Sequence, residues 1–155
     1  MIQDSGQRRE FATGAVRDIQ EGKGRCDLLP LDVVAHLVFE AAFDRINDFT
    51  KTGNPQALEN ALVIFACNAF NGVPSMLLEV AIHFEEGAKK YGESNWQKGL
   101  PASCYVDSAI RHYLKYLRGD TDERHDRAVA WNLMCCIWTC WHKPELNTYG
   151  HKEDA

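Results

Sequence analysis

Two adjacent glutamates and two adjacent lysines stand in one predicted helix, within the stretch HFEEGAKKYGESNWQKG at residues 83–99. Carboxylates are ligands for hard divalent ions such as Mg²⁺, and ammonium groups neutralise phosphate oxygens. On a helical wheel, Glu85 flanks the apolar seam with Lys89 one turn later, whereas Glu86 falls on the opposite face. The mixture indicates a site for a metal ion and phosphates, although Glu85 and Lys89 also have the spacing of a common surface ion pair.

A second group of acids opens the last predicted helix: Asp122, Glu123 and Asp126. The buried stripe of this helix, extended backwards, passes through Asp126 and Asp122. Two acids on a core-facing line are unfavourable unless a cation compensates them, so we expect both to join Glu85 in binding a metal ion between helices. Glu123 is a second choice, because with Asp120 it also matches a capping box, and the helix dipole alone favours acids in a first helical turn.

Several polar and basic side chains near these acids are candidates for binding a nucleotide. They are Lys89, Lys90, Asn95, Trp96, Lys98, His112, Lys115, His125 and Asn132. The lysines can neutralise a triphosphate, while Asn95 and Trp96 can hydrogen-bond and stack a purine. The same two residues also fit an ordinary helix C-terminal loop with the indole as a packing anchor, and His125 and Asn132 also fit hydrogen-bonded core groups.

Other charged groups give weaker signals. Arg17, Lys23 and Arg25 in the glycine-rich N-terminal arm could reach a phosphate of a neighbouring subunit, but the segment GKGR lacks the spacing of a P-loop. The fourth predicted helix carries a charged flank that is most simply a salt-bridged surface, made of Asp107, Arg111 and Arg118.

The composition is that of one ordinary globular domain. The chain has 155 residues, of which 45% are hydrophobic and 25% charged, enough for a core without disulfides. A formal net charge of −5 gives no basic field for a nucleic acid, so we expect no nucleic acid partner. The N-terminus has no apolar signal segment and no apolar run reaches membrane-spanning length, which predicts a cytoplasmic protein with no membrane contact. The six cysteines form no CxxC pair and are interpreted as reduced core thiols.

Helical periodicity runs from Leu31 almost to the end of the chain, and no strand-type alternation persists. We therefore predict an all-α bundle of about five helices. Their expected extents are Leu31 to about Asp48, a second helix from Pro55, Met76 to Tyr91, a fourth from LPAS to Gly119, and a fifth to about Trp141. Residues 1–30 are predicted to form an irregular arm, residues 31–142 the helical domain, and residues 143–155 a flexible polar tail.

Five stretches together resemble one known family. They are FATGAVRD (11–18), GKGRCDLLPLD (22–32), HFEEGAKKYGESNWQKGLP (83–101), DSAIRHYLKYLRGDTDERH (107–125) and AWNLMCCIW (130–138). In this order they are similar to the MazZ-type dATP/dGTP diphosphohydrolases of phages and prophages, relatives of the all-α MazG nucleotide pyrophosphohydrolases. Residues from about 41 to 75 match less well and are interpreted as a subfamily insertion, an extra helical hairpin.

The resemblance implies a MazG-like bundle that hydrolyses purine dNTPs, dGTP and also dATP, to the monophosphate and pyrophosphate. It further implies a helical oligomer and, in phages that build 2-aminoadenine into DNA, a supply of dGMP for the modified base. The extra hairpin and the Trp-rich C-terminal helix lead us to expect a homodimer or homotetramer. Two alternatives stay open: a non-catalytic nucleotide-binding protein and a helical oligomerisation module.

The family also implies Mg²⁺ (or Mn²⁺), two or more ions per site, held by acids in the patterns EExxE and ExxD. Glu85 and Glu86 match the first pair and are candidate catalytic residues and metal ligands. Lys89 stands where the family has its third acid, and this departure keeps the non-catalytic alternative open.

The second acid pattern fits in two registers. Glu123 and Asp126 match ExxD and are candidate catalytic residues, whereas Asp122 and His125 match a shorter arrangement. The resemblance does not choose between them, while the helical wheel favours Asp122 and Asp126 over Glu123.

Overall fold

The computed structural model describes residues 2–150, and within that range it confirms the predicted all-α class, with six α-helices. The helices are α1 (Leu31–Val38), α2 (Ala41–Thr52), α3 (Pro55–Ala69), α4 (Val73–Tyr91), α5 (Ala102–Arg118) and α6 (His125–His142). Two short strands, β1 (Arg8–Glu10) and β2 (Val16–Asp18), pair antiparallel before the first helix. Single-turn 3₁₀ helices occupy three connections, at Cys26–Leu28, Asn95–Lys98 and Pro144–Leu146.

The predicted first helix is in fact two helices, because the backbone turns between α1 and α2. Phe39 adopts a left-handed φ of 58° and ends α1, with its N–H bonded to the carbonyl oxygen of Ala35. Glu40 is extended and begins α2. The Phe39 side chain is 93% exposed. A continuous helix would therefore gain no stabilisation from burial of this side chain in the present packing.

The central helix of the bundle is α6, which packs against α3, α4 and α5. Its predicted apolar stripe is buried from Val129 through Leu133 to Cys140. Tyr113 of α5 and Phe65 of α3 are also fully buried and contact each other with ring centroids 5.1 Å apart. Each such large side chain contributes roughly 1.5–3 kcal/mol on burial, and together they fix where α5 and α6 present their polar residues.

All six cysteines lie within the described residues and are free thiols. Cys135 and Cys136 are buried along α6, and this burial raises the pKa of both thiols. Cys67 is exposed on α3, so its interpretation as a core thiol is wrong.

The predicted irregular arm contains the β1–β2 hairpin, which is tied to the connection between α4 and α5. The Asn95 side chain accepts a hydrogen bond from the Val16 N–H at 2.8 Å and donates one to the Val16 carbonyl at 2.9 Å. The Tyr91 hydroxyl accepts from the Asp18 N–H, and the Thr13 hydroxyl donates to the Gly99 carbonyl. These long-range bonds hold the hairpin against the bundle.

The predicted flexible tail is packed as far as Gly150, because it contains an aromatic side chain that finds a place on the core. Tyr149 contacts Phe49 edge to face with ring centroids 5.3 Å apart, and Asn147 donates to the Gly53 carbonyl at 2.8 Å. The rest of the predicted tail, residues 151–155, lies outside the described residues.

In the described part of the chain, no single helix is long and apolar enough to cross a membrane; only α3 and α4 taken together, across a bend of 96°, reach that length and composition.

Candidate functional site

A cavity of about 700 Å³ lies between the β1–β2 hairpin, α4, α5 and α6. This volume is in the range of small-molecule and cofactor sites. The α4 wall combines the apolar residues Phe84, Gly87 and Ala88 with the polar groups of His83, Lys90 and Tyr91. The other three elements contribute most of the charged and polar groups.

Positive charge dominates the cavity wall among the described residues. Three anionic side chains line it, from Asp18, Asp107 and Glu123. Seven cationic side chains line it as well, from Arg9, Arg17, Lys23, Lys90, Arg111, Lys115 and Arg118. The excess of cations suits a ligand with several negative charges, even though the whole chain is acidic.

Arg17 of β2 places a buried guanidinium against α6. Its Nη2 donates to Asn132 Oδ1 on α6 at 3.2 Å, and its guanidinium lies 5.5 Å from the centroid of the Trp131 ring. Burial lowers the pKa of Arg17, but an arginine stays protonated in proteins. The side chain is therefore a desolvated positive charge in the cavity wall.

Three buried donor atoms of the cavity wall have no acceptor among the described residues: Arg9 Nε, Arg17 Nη1 and Trp131 Nε1. Buried donors are nearly always paired, because an unmade hydrogen bond costs about 1–3 kcal/mol. Three of them around one cavity indicate a ligand rich in acceptor oxygens or ring nitrogens.

Two histidines and two acids meet at the cavity edge where α5 ends and α6 begins. The Nδ1 atoms of His112 and His125 lie 2.9 Å apart, and Glu123 Oε1 lies 3.4 Å from the first and 3.9 Å from the second. Asp122 Oδ1 lies 2.7 Å from His125 Nε2. Burial and the neighbouring His125 lower the pKa of His112, while the hydrogen bond to His125 lowers the pKa of Asp122. The nitrogen and carboxylate atoms are close enough to hold a metal ion.

Asp126 takes another role because α6 begins at His125, later than predicted. The N-cap is Arg124, without a side-chain cap, so the predicted capping box of Asp120 and Glu123 does not form. The Asp126 carboxylate pairs with Arg124 at 2.8 Å and accepts from the Arg127 N–H at 2.9 Å. These bonds lower the pKa of Asp126 despite partial burial. Its carboxylate therefore stabilises the first turn of α6.

Glu85 and Glu86 are not brought to the cavity lining. Glu85 is 64% exposed and pairs with Lys89 at 2.8 Å, which lowers the pKa of Glu85. Glu86 is half-buried, outside the lining residues. Among the described residues, no group of three potential ligands includes Glu85, Glu86 or Asp126. Phe84 and Ala88 line the cavity instead, so the two glutamates lie on other faces of α4.

The predicted purine-binding loop has a structural role in this chain. Both polar atoms of the Asn95 side chain are used by the backbone of Val16, and Trp96 packs edge to face on Phe84 and Trp138 at 5.4 and 5.0 Å. Both residues line the cavity, but Asn95 positions the hairpin.

The predicted phosphate-binding lysines divide into two groups. Lys90 and Lys115 line the cavity, as do His112 and Asn132 from the same prediction. Lys89 and Lys98 do not: Lys89 is paired with Glu85, and Lys98 donates to the Gly14 carbonyl at 3.3 Å.

The sequence interpretation missed the link between α5 and the N-terminal arm. Asp107, expected on a salt-bridged surface, is buried and pairs with Arg111. It also accepts from Gln20 Nε2 at 2.9 Å and from the Cys26 N–H at 2.6 Å. The adjacent Arg111 and His112 both reach the cavity, a signal that a helical wheel of α5 alone does not give.

A family model described as dATP/dGTP diphosphohydrolase, N-terminal, matches residues 55–149. The matched segment runs from the start of α3 past the end of α6, so it contains the histidine–carboxylate cluster but not the hairpin that carries Arg17. It also takes in residues 55–75 of the segment interpreted as an insertion. The comparisons with curated proteins and with solved structures found no match.

Proposed function

Because the chain belongs to the dATP/dGTP diphosphohydrolase family, we propose that its cavity binds dGTP, and also dATP, and hydrolyses it to the monophosphate and pyrophosphate. The family confirms the predicted enzyme class, a nucleoside triphosphate pyrophosphohydrolase, and the MazZ-type resemblance. The cavity as the place of reaction is our inference from its chemistry.

The observation that carries the proposal is the combination of excess positive charge with unpaired buried donors in one cavity. A nucleoside triphosphate offers many acceptor oxygens for the unpaired donors and a high negative charge for the excess of cations. Arg17 would bind phosphoryl oxygens from the hairpin side, and Lys115 from α5. Because Asn132 holds the Arg17 guanidinium before the ligand arrives, this group would stabilise charge that builds on the phosphoryl oxygens during hydrolysis.

The purine would lie toward the apolar side of the cavity, formed by Phe84, Ala88 and Trp131. An indole beside a purine offers a stacking surface, and the unpaired Trp131 Nε1 offers a donor for a ring nitrogen or carbonyl oxygen. This arrangement supports a preference for purines over smaller bases.

A divalent cation belongs to the proposal, and the donor set of His112, Glu123 and His125 fits one. When bound, such an ion polarises phosphoryl oxygens as a Lewis acid. The resemblance implies Mg²⁺ or Mn²⁺ with two or more ions per site; the histidine-containing donor set would hold one of them, and another would arrive with the triphosphate. Asp122 fixes the His125 ring, and Lys115, whose Nζ lies 4.0 Å from Asp122 Oδ2, keeps positive charge beside the cluster.

The biological setting proposed here follows the resemblance. It comprises a host-cell cytoplasm, a phage that builds 2-aminoadenine into DNA, and a homodimer or homotetramer without nucleic acid or membrane partners. Large exposed apolar side chains support self-association: Leu78 of α4 is 75% exposed and Leu37 of α1 is 78% exposed.

Separation of reaction products tests the proposed function. The purified protein is incubated with dGTP, dATP, GTP or dCTP in the presence of Mg²⁺ or Mn²⁺, and the products are resolved by chromatography and ³¹P NMR. We expect monophosphate and pyrophosphate, fastest from the purine deoxynucleotides. Nucleoside plus triphosphate would contradict the proposal, and metal-dependent binding without products would favour the non-catalytic alternative.

A further inference from the structure

The histidine–carboxylate cluster has the dimensions of a transition-metal site. Its three candidate ligand atoms are His112 Nδ1, His125 Nδ1 and Glu123 Oε1, which form a triangle with sides of 2.9, 3.4 and 3.9 Å. The point equidistant from all three lies about 2.0 Å from each atom, which is the length of a metal–nitrogen or metal–oxygen bond. The three distances therefore match those expected around one bound ion.

The surroundings of the triangle orient its ligands. Asp122 Oδ1 lies 2.7 Å from His125 Nε2, so the carboxylate accepts a hydrogen bond from Nε2–H, and Nδ1 keeps a free lone pair. His125 is 2% exposed and starts α6, which fixes its ring. His112 and Glu123 also line the cavity, so any remaining coordination positions face the ligand space.

From this geometry we propose that His112, His125 and Glu123 form a mononuclear two-histidine, one-carboxylate site for a borderline divalent ion: Mn²⁺, Fe²⁺, Co²⁺ or Zn²⁺. Two imidazole ligands favour these ions over Mg²⁺, which prefers oxygen ligands. The inference rests on the proposed function only for the use of the ion, and metal binding itself does not depend on hydrolysis. It replaces Glu85 with Glu123 as the principal carboxylate ligand.

The competing interpretation is a direct hydrogen bond between the two imidazoles. At 2.9 Å, one protonated Nδ1 could donate to the other. That interpretation accounts for the histidine pair but gives Glu123 no ligand role, so it predicts that metal binding is absent or unaffected when the carboxylate is replaced.

Metal binding is tested on the full-length protein without nucleotide. The protein is stripped with a chelator and dialysed against Co²⁺, Mn²⁺ or Mg²⁺, and bound metal is measured by mass spectrometry. We expect one Co²⁺ or Mn²⁺ per chain, bound at least about ten-fold more tightly than Mg²⁺. The Co²⁺ form should show visible d–d bands, and pulsed EPR of the Mn²⁺ form should show couplings to imidazole nitrogens.

Matched variants assign the ligands. Glu123→Gln and His112→Asn should each weaken Co²⁺ binding by about 100-fold or more, since each removes a ligand. Glu85→Gln and His36→Asn should bind like the wild type, because both residues are exposed outside the cavity. Circular dichroism establishes that each variant is folded, and the nitrogen couplings of the wild type decide the matter even where a variant fails to fold.

Three results would overturn the inference: no bound ion, wild-type affinity in both Glu123→Gln and His112→Asn, or sulfur-to-metal charge-transfer absorption that assigns the ion to cysteines. Because no nucleotide is present, these failures are distinct from a failure of hydrolysis. A protein that hydrolyses dGTP with only Mg²⁺ bound elsewhere would keep the proposed function and lose this site.

Discussion

Arg17 Nη2 of the hairpin donates to Asn132 Oδ1 of α6 over 3.2 Å, and this bond holds one positive charge in the cavity wall. The hairpin lies outside residues 55–149, which match the family model. The positive charge of Arg17 is therefore supplied to the cavity by a part of the chain that the match does not cover. A desolvated charge acts more strongly on a phosphate than an exposed one, because the local dielectric constant is lower.

The substitution Arg17→Lys should lower kcat/KM for dGTP by about 100-fold, since an ammonium cannot reach Asn132 and a phosphate together in the geometry of a planar guanidinium. Steady-state kinetics measure the effect. Arg25→Lys is the matched control, because Arg25 lies in the same arm but pairs with Asp27 at 2.6 Å and is half-exposed. Its rate should stay within about two-fold of the wild type. Equal losses in both variants would remove Arg17 from the site.

The substitution Asn95→Ala should loosen the hairpin, because it removes both bonds to the Val16 backbone. We expect a loss of about 1–3 kcal/mol in the free energy of unfolding, together with a higher KM for dGTP. Hydrogen exchange should rise in residues 8–18. Gln97→Ala, at an exposed position of the same 3₁₀ helix, should change stability by no more than about 0.5 kcal/mol. Unchanged exchange in the hairpin of Asn95→Ala would show that other contacts hold it.

The activities of Glu123→Gln and Glu85→Gln distinguish two assignments of the carboxylate that is needed for hydrolysis. The cavity position of Glu123 predicts that its amide variant loses dGTP hydrolysis by about 100-fold or more. Glu85→Gln should retain activity, because its carboxylate is exposed and bonded to Lys89. The reverse result would restore the site expected from the EExxE pattern and place Glu85 in a cavity completed by a partner subunit.

His83 predicts a pH dependence of folding stability. Burial, with Arg17 and Arg127 nearby, lowers its pKa to about 4 from 6.5. Between these values the unfolded chain binds a proton that the folded chain does not, so acidification destabilises the fold. From pH 7 to pH 5 this group should cost about 2 kcal/mol of unfolding free energy. Urea unfolding of wild type and His83→Asn in the presence of a chelator measures it, and identical pH slopes would contradict the assignment.

Local signals in the sequence were sufficient for most helix ends. Asn54 caps α3 by accepting from the Gln56 N–H at 3.0 Å, Pro55 occupies the first turn, and Gly119 ends α5 in a left-handed conformation. The break after Phe39 carries no glycine or proline, so nothing in the pattern distinguishes α1 and α2 from one helix.

The site was harder to predict because it depends on where α6 begins. The wheel assigned Asp122 to the buried stripe on the assumption that the helix includes it; since α6 begins at His125, Asp122 and Glu123 precede the helix and the turn of about 100° per residue does not apply to them. Glu123 then reaches the histidines, and Asp126 serves the helix start. The hairpin bond from Asn95 to Val16 spans 79 residues of sequence, and no local pattern encodes it.

The most direct test of the account is a crystal structure of the Mn²⁺-loaded protein with a dGTP analogue that cannot be cleaved between the α- and β-phosphates. We predict the triphosphate beside Arg17 and Lys115, the guanine against Trp131, and Mn²⁺ bound by the proposed ligands His112, His125 and Glu123. An analogue bound outside the cavity, or an ion held by Glu85 with the histidines uninvolved, would contradict it.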